Sequence, residues 1–412
     1  MNNGLQLHER AEKKRKDDPA AACALYREAV GAYTAAEALL PEGQNSVELH
    51  FNMGVAHTGL ANAVKEMETR NWKEQYIEAL CKATVCYSNV LEEDGNHVEA
   101  INNWGTALHS LSEVRERPEA LVLMQEASAK LEHVCSLAPA DFEACNNHAD
   151  ALAAWAALLA YDDAANLVCG PDSEALWAAA YDRFAASMSL MTYDFDRVNC
   201  LCNWSTALSK HAELRQNLGD KERAYSLYIS AADKLKQSCQ LSHSDPDGFV
   251  ALAEAQKSAA ENAPVEVQEE GLQHVCASYR EALRILASHS EAMAGLGETM
   301  LDLGRLMLSQ GRLDEAHSTL TGAGELLFQY LSAQGADETA LHNMACVCAL
   351  LGRLDECQQY LDRCGRVQMT QGNDMDAWCA EVSADADLAN ARALPWFQDL
   401  LVAARAGFGV LQ

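Results

Sequence analysis

Five asparagines recur along the sequence in one local pattern, each followed by a large side chain and then by a small residue. They are Asn52, Asn103, Asn147, Asn203 and Asn343, within Phe-Asn-Met-Gly, Asn-Asn-Trp-Gly, Asn-Asn-His-Ala, Cys-Asn-Trp-Ser and His-Asn-Met-Ala. A primary amide carries both hydrogen-bond donors and an acceptor, so it can pair with N–H and C=O groups alike. Most copies continue into an Ala- and Leu-rich amphipathic run, which predicts that each asparagine lies on the same turn of a recurring helix.

The spacing of cysteines and histidines does not support a metal or redox site. The 15 cysteines include no C-x-x-C, and the closest pairs, Cys200/Cys202 and Cys346/Cys348, are two residues apart. Residues two apart on a helix point to different faces, so neither pair can hold one tetrahedral metal ion. The 13 histidines show neither H-x-x-x-H nor H-E-x-x-H. We therefore expect buried, reduced thiols, as in a cytosolic protein, and no bound metal or cofactor.

Motifs of enzymatic catalysis are equally weak. Gly295-Leu296-Gly297 follows no predicted strand, so we interpret it as a close-packing position within a helix and not as a phosphate-binding loop. Acidic pairs such as Glu92-Glu93 fall at predicted helix ends, where solvated charge is usual. No nucleophile is paired with a base in the sequence, and we expect no catalytic activity.

The charge of the chain bears on the class of partner. Its 31 Lys and Arg residues against 60 Asp and Glu residues give a formal net charge of −29, which disfavours nucleic acid and anionic membranes and favours a neutral or basic polypeptide. The N-terminus to Asp18 has no apolar signal region, and no window approaches a membrane span. We expect an intracellular protein that lies in the cytoplasm. The run Lys13-Lys14-Arg15-Lys16 is either a nuclear-import signal or the basic last turn of a helix.

The elements that position these side chains are predicted to be helices throughout, because no segment alternates with the period of a strand. The first strongly periodic helix is predicted to end at Pro41-Glu42-Gly43, and later helices follow in pairs. The pentapeptide Gly-Arg-Leu-Asp-Glu occurs at 311 and again at 352, which gives a local repeat of 352 − 311 = 41 residues. The sequence is therefore a series of helical hairpins.

These hairpins resemble the tetratricopeptide repeat (TPR) family, whose repeats are helix-turn-helix units of about 34 residues. Asn343-Met344-Ala345, Gly352 and the series Cys357, Leu361 and Cys364 follow the family's offsets without insertion. The resemblance implies an all-α, right-handed α-solenoid of about seven to eight TPR-like hairpins with a C-terminal capping helix. We expect a polar lead-in at 1–19, the solenoid at 20–373 and the cap at 374–412.

In TPR proteins the first helix of each repeat lines a concave groove, and an asparagine at this position grips the backbone of a bound peptide. The resemblance therefore implies that the five recurring asparagines form such a groove. The same helices contribute further polar groove residues, which are Asn102, Thr106, His109, Asn146, Asp150, Thr206 and Lys210. The alternative is that each asparagine bonds the neighbouring repeat.

The function expected from the resemblance is that of a non-catalytic adaptor or scaffold, which binds an extended, neutral or basic peptide segment in the groove. Two alternatives stay open at this point. The chain is a structural subunit of a large multiprotein assembly, or it is an acidic chaperone for basic client proteins.

Overall fold

The computed structural model describes residues 2–41, 46–162 and 166–407, which fall into two compact units, Met1–Leu218 and Gly219–Gln412. The predicted helix stop at Glu42-Gly43 and the last five residues of the predicted cap lie outside the described residues. Within them the regular structure is helical, and the β-structure is one isolated bridge between Tyr161 and Leu167.

The N-terminal unit consists of successive helices that pack as hairpins. They are α1 (Asn2–Lys14), α2 (Pro19–Glu37), α3 (Val47–Met67), α4 (Trp72–Glu93), α5 (Val98–Ser112), α6 (Arg117–Leu137), α7 (Phe142–Leu159), α8 (Pro171–Leu190) and α9 (Asp194–Asn217). The pairs α1/α2, α3/α4, α5/α6 and α7/α8 are hairpins, and the first helix of each pair also contacts the next first helix along the chain. We also call α9 a first helix, because it contacts α7 in the same way. This second set of contacts places α5, α7 and α9 side by side.

The first helix, α1, lies within the predicted lead-in and packs on α2, where it buries Leu7 and Ala11. Its last turn contains Lys13 and Lys14. The basic run is therefore a helix end, which favours positive charge because the carbonyl groups there are unpaired.

A small residue on the first helix of a hairpin allows close approach of a large side chain from the second. A Cβ atom built on Gly54 of α3 would lie 2.5 Å from the ring of Tyr87 on α4. A Cβ atom on Gly105 of α5 would lie 2.7 Å from Leu131 on α6. The Asn-x-Gly pattern thus marks the turn at which the two helices of a hairpin meet, and the glycine is a packing residue.

The C-terminal unit continues with helical pairs. Its helices are α10 (Lys221–Leu241), α11 (Pro246–Asn262), α12 (Val265–Ile285), α13 (Ser290–Ser309), α14 (Leu313–Gln334), α15 (Glu338–Leu350) and α16 (Leu354–Thr370). The pairs α11/α12, α13/α14 and α15/α16 are hairpins. Gly297 of α13 packs on Leu327 of α14, in agreement with its interpretation as a close-packing position.

After α16 come the short helices α17 (Met375–Ala384), α18 (Ala389–Arg392) and α19 (Pro395–Arg405), with a 3₁₀ turn at Ala386–Leu388. We call residues 374–407 the C-terminal cap. Trp378, Phe397 and Leu401 of the cap are buried in one cluster with Leu361 of α16. The cap therefore covers the apolar surface of the last hairpin.

The seven hairpins within the two units confirm the predicted fold class, an all-α helical-repeat protein of the TPR type. Helices α9 and α10 follow each other along the chain but fall in different units.

Candidate peptide-binding groove

A cavity of about 620 Å³ lies between the first helices α5, α7 and α9 of the N-terminal unit. Its apolar residues, which we call the apolar wall, come mostly from α7, and its polar and charged residues, which we call the polar wall, come from α5, α7 and α9. The lining residues are His109, Ser112, Glu113, Asp150, Ala153, Ala154, Ala157, Leu158, Tyr161, Trp177, Asn203, Thr206, Ala207 and Lys210. The alanines of α7 create this space, since larger side chains at those positions would fill it.

Five of the twelve groove residues expected from the sequence line this cavity. They are His109 from α5, Asp150 from α7, and Asn203, Thr206 and Lys210 from α9. The spacing explains the last three, because residues three and four apart lie on one helix face. Thr206 is exposed and its hydroxyl donates to the Cys202 carbonyl at 3.0 Å, so the hydroxyl oxygen remains available as a hydrogen-bond acceptor.

The other expected residues lie beside the cavity or away from it. The side-chain amide of Asn147 on α7 donates to the side-chain Oδ1 of Asn102 on α5 at 3.1 Å. Asn103 is hydrogen-bonded to the Tyr87 hydroxyl, and its backbone carbonyl accepts from Thr106 at 3.0 Å. Three asparagines complete the set: Asn146 near Asp150, Asn52 on α3, and Asn343 on α15 of the C-terminal unit.

The recurring asparagines of α5, α7 and α9 each contact the preceding repeat. Asn103 reaches Tyr87 of α4, Asn147 reaches Asn102 of α5, and Asn203 donates to Asp150 of α7 at 3.0 Å. These are the contacts expected if the asparagine bonds the neighbouring repeat. A primary amide has two N–H donors and an acceptor, so one such bond does not exhaust its capacity.

Asp150 is the half-buried carboxylate of the polar wall. Its Oδ2 accepts from Asn203 at 3.0 Å and from Asn146 at 3.4 Å. Burial raises the pKa of Asp150 to about 7, and the Asn203 hydrogen bond opposes that rise without cancelling it. The wall therefore carries a carboxyl group that is held by neutral amides and changes its charge near neutral pH.

The other charged groups of the lining are paired. The Glu113 carboxylate contacts the Lys65 ammonium at 3.1 Å, and Lys210 contacts Glu213 at 2.9 Å. Burial lowers the pKa of His109, so this imidazole is neutral at physiological pH. The cavity thus holds no uncompensated positive charge, and a bound cationic side chain would meet no repulsion from an unpaired one.

Trp177 belongs to the lining although the sequence did not indicate it. It comes from the second helix α8, is buried, and stacks on His211 at 4.8 Å between ring centroids with 5° between the planes. Among the described residues, its indole N–H has no hydrogen-bond partner. The resemblance assigns only first helices to the groove, so a second-helix residue was missed.

A second cluster, of side chains that commonly bind metals or take part in catalysis, lies in the C-terminal unit. His342 and Cys346 are one turn apart on α15, and both contact the Asp385 carboxylate of the cap. Burial, and then the carboxylates of Asp385 and Asp387, raise the pKa of the Cys346 thiol. A nucleophilic cysteine needs the opposite shift, so this thiol lacks the lowered pKa of a nucleophile. The signal in the sequence is the His-x-x-x-Cys spacing, since residues four apart share a helix face.

No described helix is both long enough and apolar enough to span a membrane. No protein-family model matches the sequence, and no curated protein matches it significantly.

Several solved structures are similar in fold. The S. pombe nuclear import adaptor Nro1 is 14% identical, with 69% of this chain and 94% of that chain covered and a TM-score of 0.47. The C-terminal part of a TPR repeat-containing protein from Cytophaga hutchinsonii is 10% identical, with 82% and 99% covered and a TM-score of 0.46. YrrB, described as a TPR protein with an unusual peptide-binding site, is 13% identical, with 62% and 96% covered and a TM-score of 0.36. The hairpins and the packing of their first helices define this chain as a TPR-like helical-repeat protein.

Proposed function

We propose that this protein is a non-catalytic adaptor whose N-terminal unit binds an extended peptide segment of a partner protein in the cavity between α5, α7 and α9. The observation that carries the proposal is the cavity itself. Its volume of about 620 Å³ lies in the range of about 300–1,000 Å³ that ligand sites occupy, and it combines an apolar wall with a few convergent polar groups.

The apolar wall suits the side chains of a peptide, and the polar wall suits its backbone. Ala153, Ala157 and Leu158 of α7 offer a surface that apolar side chains can bury. Asn203 and Thr206 of α9 offer polar groups at neighbouring positions. Amides and hydroxyls bond any peptide group, so this wall gives affinity with little dependence on the peptide sequence.

Asp150 supplies the preference for a basic residue. It is held by the amides of Asn203 and Asn146, whereas Glu113 and Lys210 each have a partner of opposite charge. A lysine or arginine of the peptide placed beside Asp150 stabilises its ionised form and gains a charge-assisted hydrogen bond. The net charge of −29 adds a long-range attraction for a basic segment.

The experiment uses the full chain and a display library of short random peptides. Peptides selected on the wild-type protein are synthesised with a fluorophore, and their Kd values are measured by polarisation. Thr206→Trp fills the cavity from an exposed position and is expected to weaken binding at least tenfold. Val122→Trp on α6, at a position 64% exposed and outside the lining, is the matched control and is expected to bind like wild type.

The outcomes separate the alternatives. Selected peptides that bind Thr206→Trp as tightly as wild type contradict a site in this cavity. If basic peptides bind Thr206→Trp as tightly as wild type and their binding collapses with modest salt, the acidic-chaperone alternative is favoured. If no peptide is selected, the structural-subunit alternative is favoured. Substitution of the asparagines is a poorer test, because their amides also join adjacent helices.

A further inference from the structure

Three side chains that commonly bind metals converge where α15 meets the cap. The ligand atoms of His342, Cys346 and Asp385 all lie within 4.8 Å of one another. The His342 Nε2 atom is 2.8 Å from Asp385 Oδ2, and the Cys346 Sγ atom is 3.4 Å from the same oxygen. Imidazole, thiolate and carboxylate are all ligands of zinc.

The distances between these atoms are close to those that a tetrahedral zinc ion requires. With Zn–N and Zn–O of about 2.0–2.2 Å and Zn–S of about 2.3 Å, the nitrogen and oxygen ligands lie about 3.4 Å apart and sulfur about 3.6 Å from either. The sulfur–oxygen distance already matches, and the nitrogen–oxygen distance has to open by about 0.6 Å. The sulfur and nitrogen, at most 4.8 Å apart, have to close by no more than about 1.2 Å.

The backbone positions all three groups before an ion arrives. His342 and Cys346 lie on one face of α15 because they are four residues apart. Asp385 caps the 3₁₀ turn, and its Oδ1 accepts from the Asp387 backbone N–H at 2.9 Å, which directs Oδ2 at the other two ligands. An Arg392 guanidinium N–H donates to the Asp385 backbone carbonyl. The Asp387 backbone N–H is therefore the outer partner that orients the Asp385 carboxylate.

The charges balance when a divalent ion binds. The ion replaces the thiol proton of Cys346, which is released to solvent, and the resulting thiolate and the Asp385 carboxylate together neutralise a charge of +2. The nearby Arg305 cation does not oppose this, because Asp387 at 2.6 Å and Asp302 at 2.6 Å both pair with it. Arg392 is the remaining positive group and faces the backbone of Asp385.

We propose that His342, Cys346 and Asp385 form a binding site for a divalent transition-metal ion, with zinc as the expected metal. The bound ion joins α15 to the C-terminal cap. Three protein ligands leave a fourth position for water. Calcium and magnesium are disfavoured, since these hard cations select oxygen ligands. The site lies in the C-terminal unit and goes beyond the proposed peptide binding.

The test uses the full chain without a histidine tag, stripped of metal under reducing conditions and titrated with Co²⁺. A tetrahedral Co²⁺–thiolate site gives visible d–d bands and a near-ultraviolet sulfur-to-cobalt band. We expect one equivalent of Co²⁺ to produce both, and Zn²⁺ to displace it. Cys346→Ala is expected to abolish the sulfur band, and His342→Gln to weaken Co²⁺ binding at least tenfold. Cys348→Ala removes a buried thiol two residues away on the same helix and is the matched control.

A second measurement keeps the test decisive if Cys346→Ala folds poorly. His342 is only partly buried, so His342→Gln preserves the core. Saturating Zn²⁺ is expected to raise the thermal midpoint of wild type and of Cys348→Ala, but not of His342→Gln. Binding of less than one equivalent, a sulfur band that survives Cys346→Ala, or an equal rise of the midpoint in His342→Gln overturns the proposal.

Discussion

Asn203 of α9 donates its side-chain N–H to Asp150 of α7, with 3.0 Å between Nδ2 and Oδ2, so a hydrogen bond of the cavity wall is also a bond between two successive first helices. The same oxygen accepts from Asn146, one turn earlier on α7. The proposed peptide site and the contact between successive repeats therefore share these atoms. Substitutions here act on stability as well as on binding, and the two effects need separate measurements.

Asp150→Asn is expected to remove a pH dependence of stability. The folded-state pKa of Asp150 is raised to about 7 from 3.8, so folding favours the protonated form. The stability that Asp150 contributes is fully present below about pH 4 and is lost as the pH rises through 7. The total loss is at most about 4 kcal/mol, because each unit of pKa shift corresponds to about 1.4 kcal/mol. The variant should gain stability over wild type at pH 8 and little at pH 4.

The measurement is the free energy of unfolding of both proteins by denaturant between pH 4 and pH 8. Asp182→Asn on α8, an acidic residue outside the cavity lining, serves as the control and should keep the wild-type slope. A wild type and an Asp150→Asn variant whose stabilities run parallel over this range would rule out a raised pKa at Asp150.

Gly105→Ala is expected to destabilise the N-terminal unit. The new methyl group would lie 2.7 Å from Leu131, and overpacking of this kind costs about 1–3 kcal/mol. The control is Gly31→Ala on α2, where a Cβ atom meets nothing within 4 Å. That change should stabilise by up to about 1 kcal/mol, because alanine is the better helix former. Thermal unfolding of the two variants should move in opposite directions, and a shift of the same sign in both would contradict the close contact.

The fold follows from the sequence because each repeat carries its own local signals. The copies of the Asn-x-Gly pattern share a phase, and Gly54 and Gly105 indeed meet the second helix of their own hairpins. Helix starts are equally local, as at α7, where the Asp141 carboxylate accepts from the backbone N–H of Glu143 and Ala144. Period and capping are therefore enough to predict hairpins.

The candidate sites are less predictable, because they depend on contacts between distant segments. His109, Asp150 and Asn203 line one cavity from three neighbouring helices, although they stand at different offsets from the recurring asparagines of those helices. Trp177 reaches the same cavity from a second helix, which no repeat pattern indicates. Asp385 meets His342 across 43 residues only because the cap folds back on α15, and the cap follows no repeat.

His57 is expected to make the N-terminal unit sensitive to acid. Burial lowers its pKa to about 4, and its Nδ1 atom has no hydrogen-bond partner among the described residues. Nearby Lys82 lowers this pKa further, while Glu78 raises it. An unfolded histidine titrates at 6.5, so the stability that His57 contributes is present above pH 6.5 and is lost as the pH falls to 4, by up to about 3 kcal/mol.

His57→Gln should therefore flatten the fall in stability between pH 6.5 and pH 4. The control is His133→Gln, at an exposed position on α6, which should leave the slope unchanged. Denaturant unfolding at several pH values measures both slopes. Equal slopes for the two variants would contradict a lowered pKa of His57 in the folded protein.

Phe397→Ala in α19 is expected to release the cap from the last hairpin. Its ring is fully buried in the cluster that contains Leu361 of α16 and Leu401 of the cap, and the loss of such a ring costs about 3–5 kcal/mol. Val402→Ala on the same helix, at a position 64% exposed, is the control and should change stability by less than about 0.5 kcal/mol. Hydrogen exchange should show faster exchange in α15 and α16 for the Phe397 variant alone, since these helices lose their cover. Unchanged exchange there would mean that the last hairpin is stable without the cap.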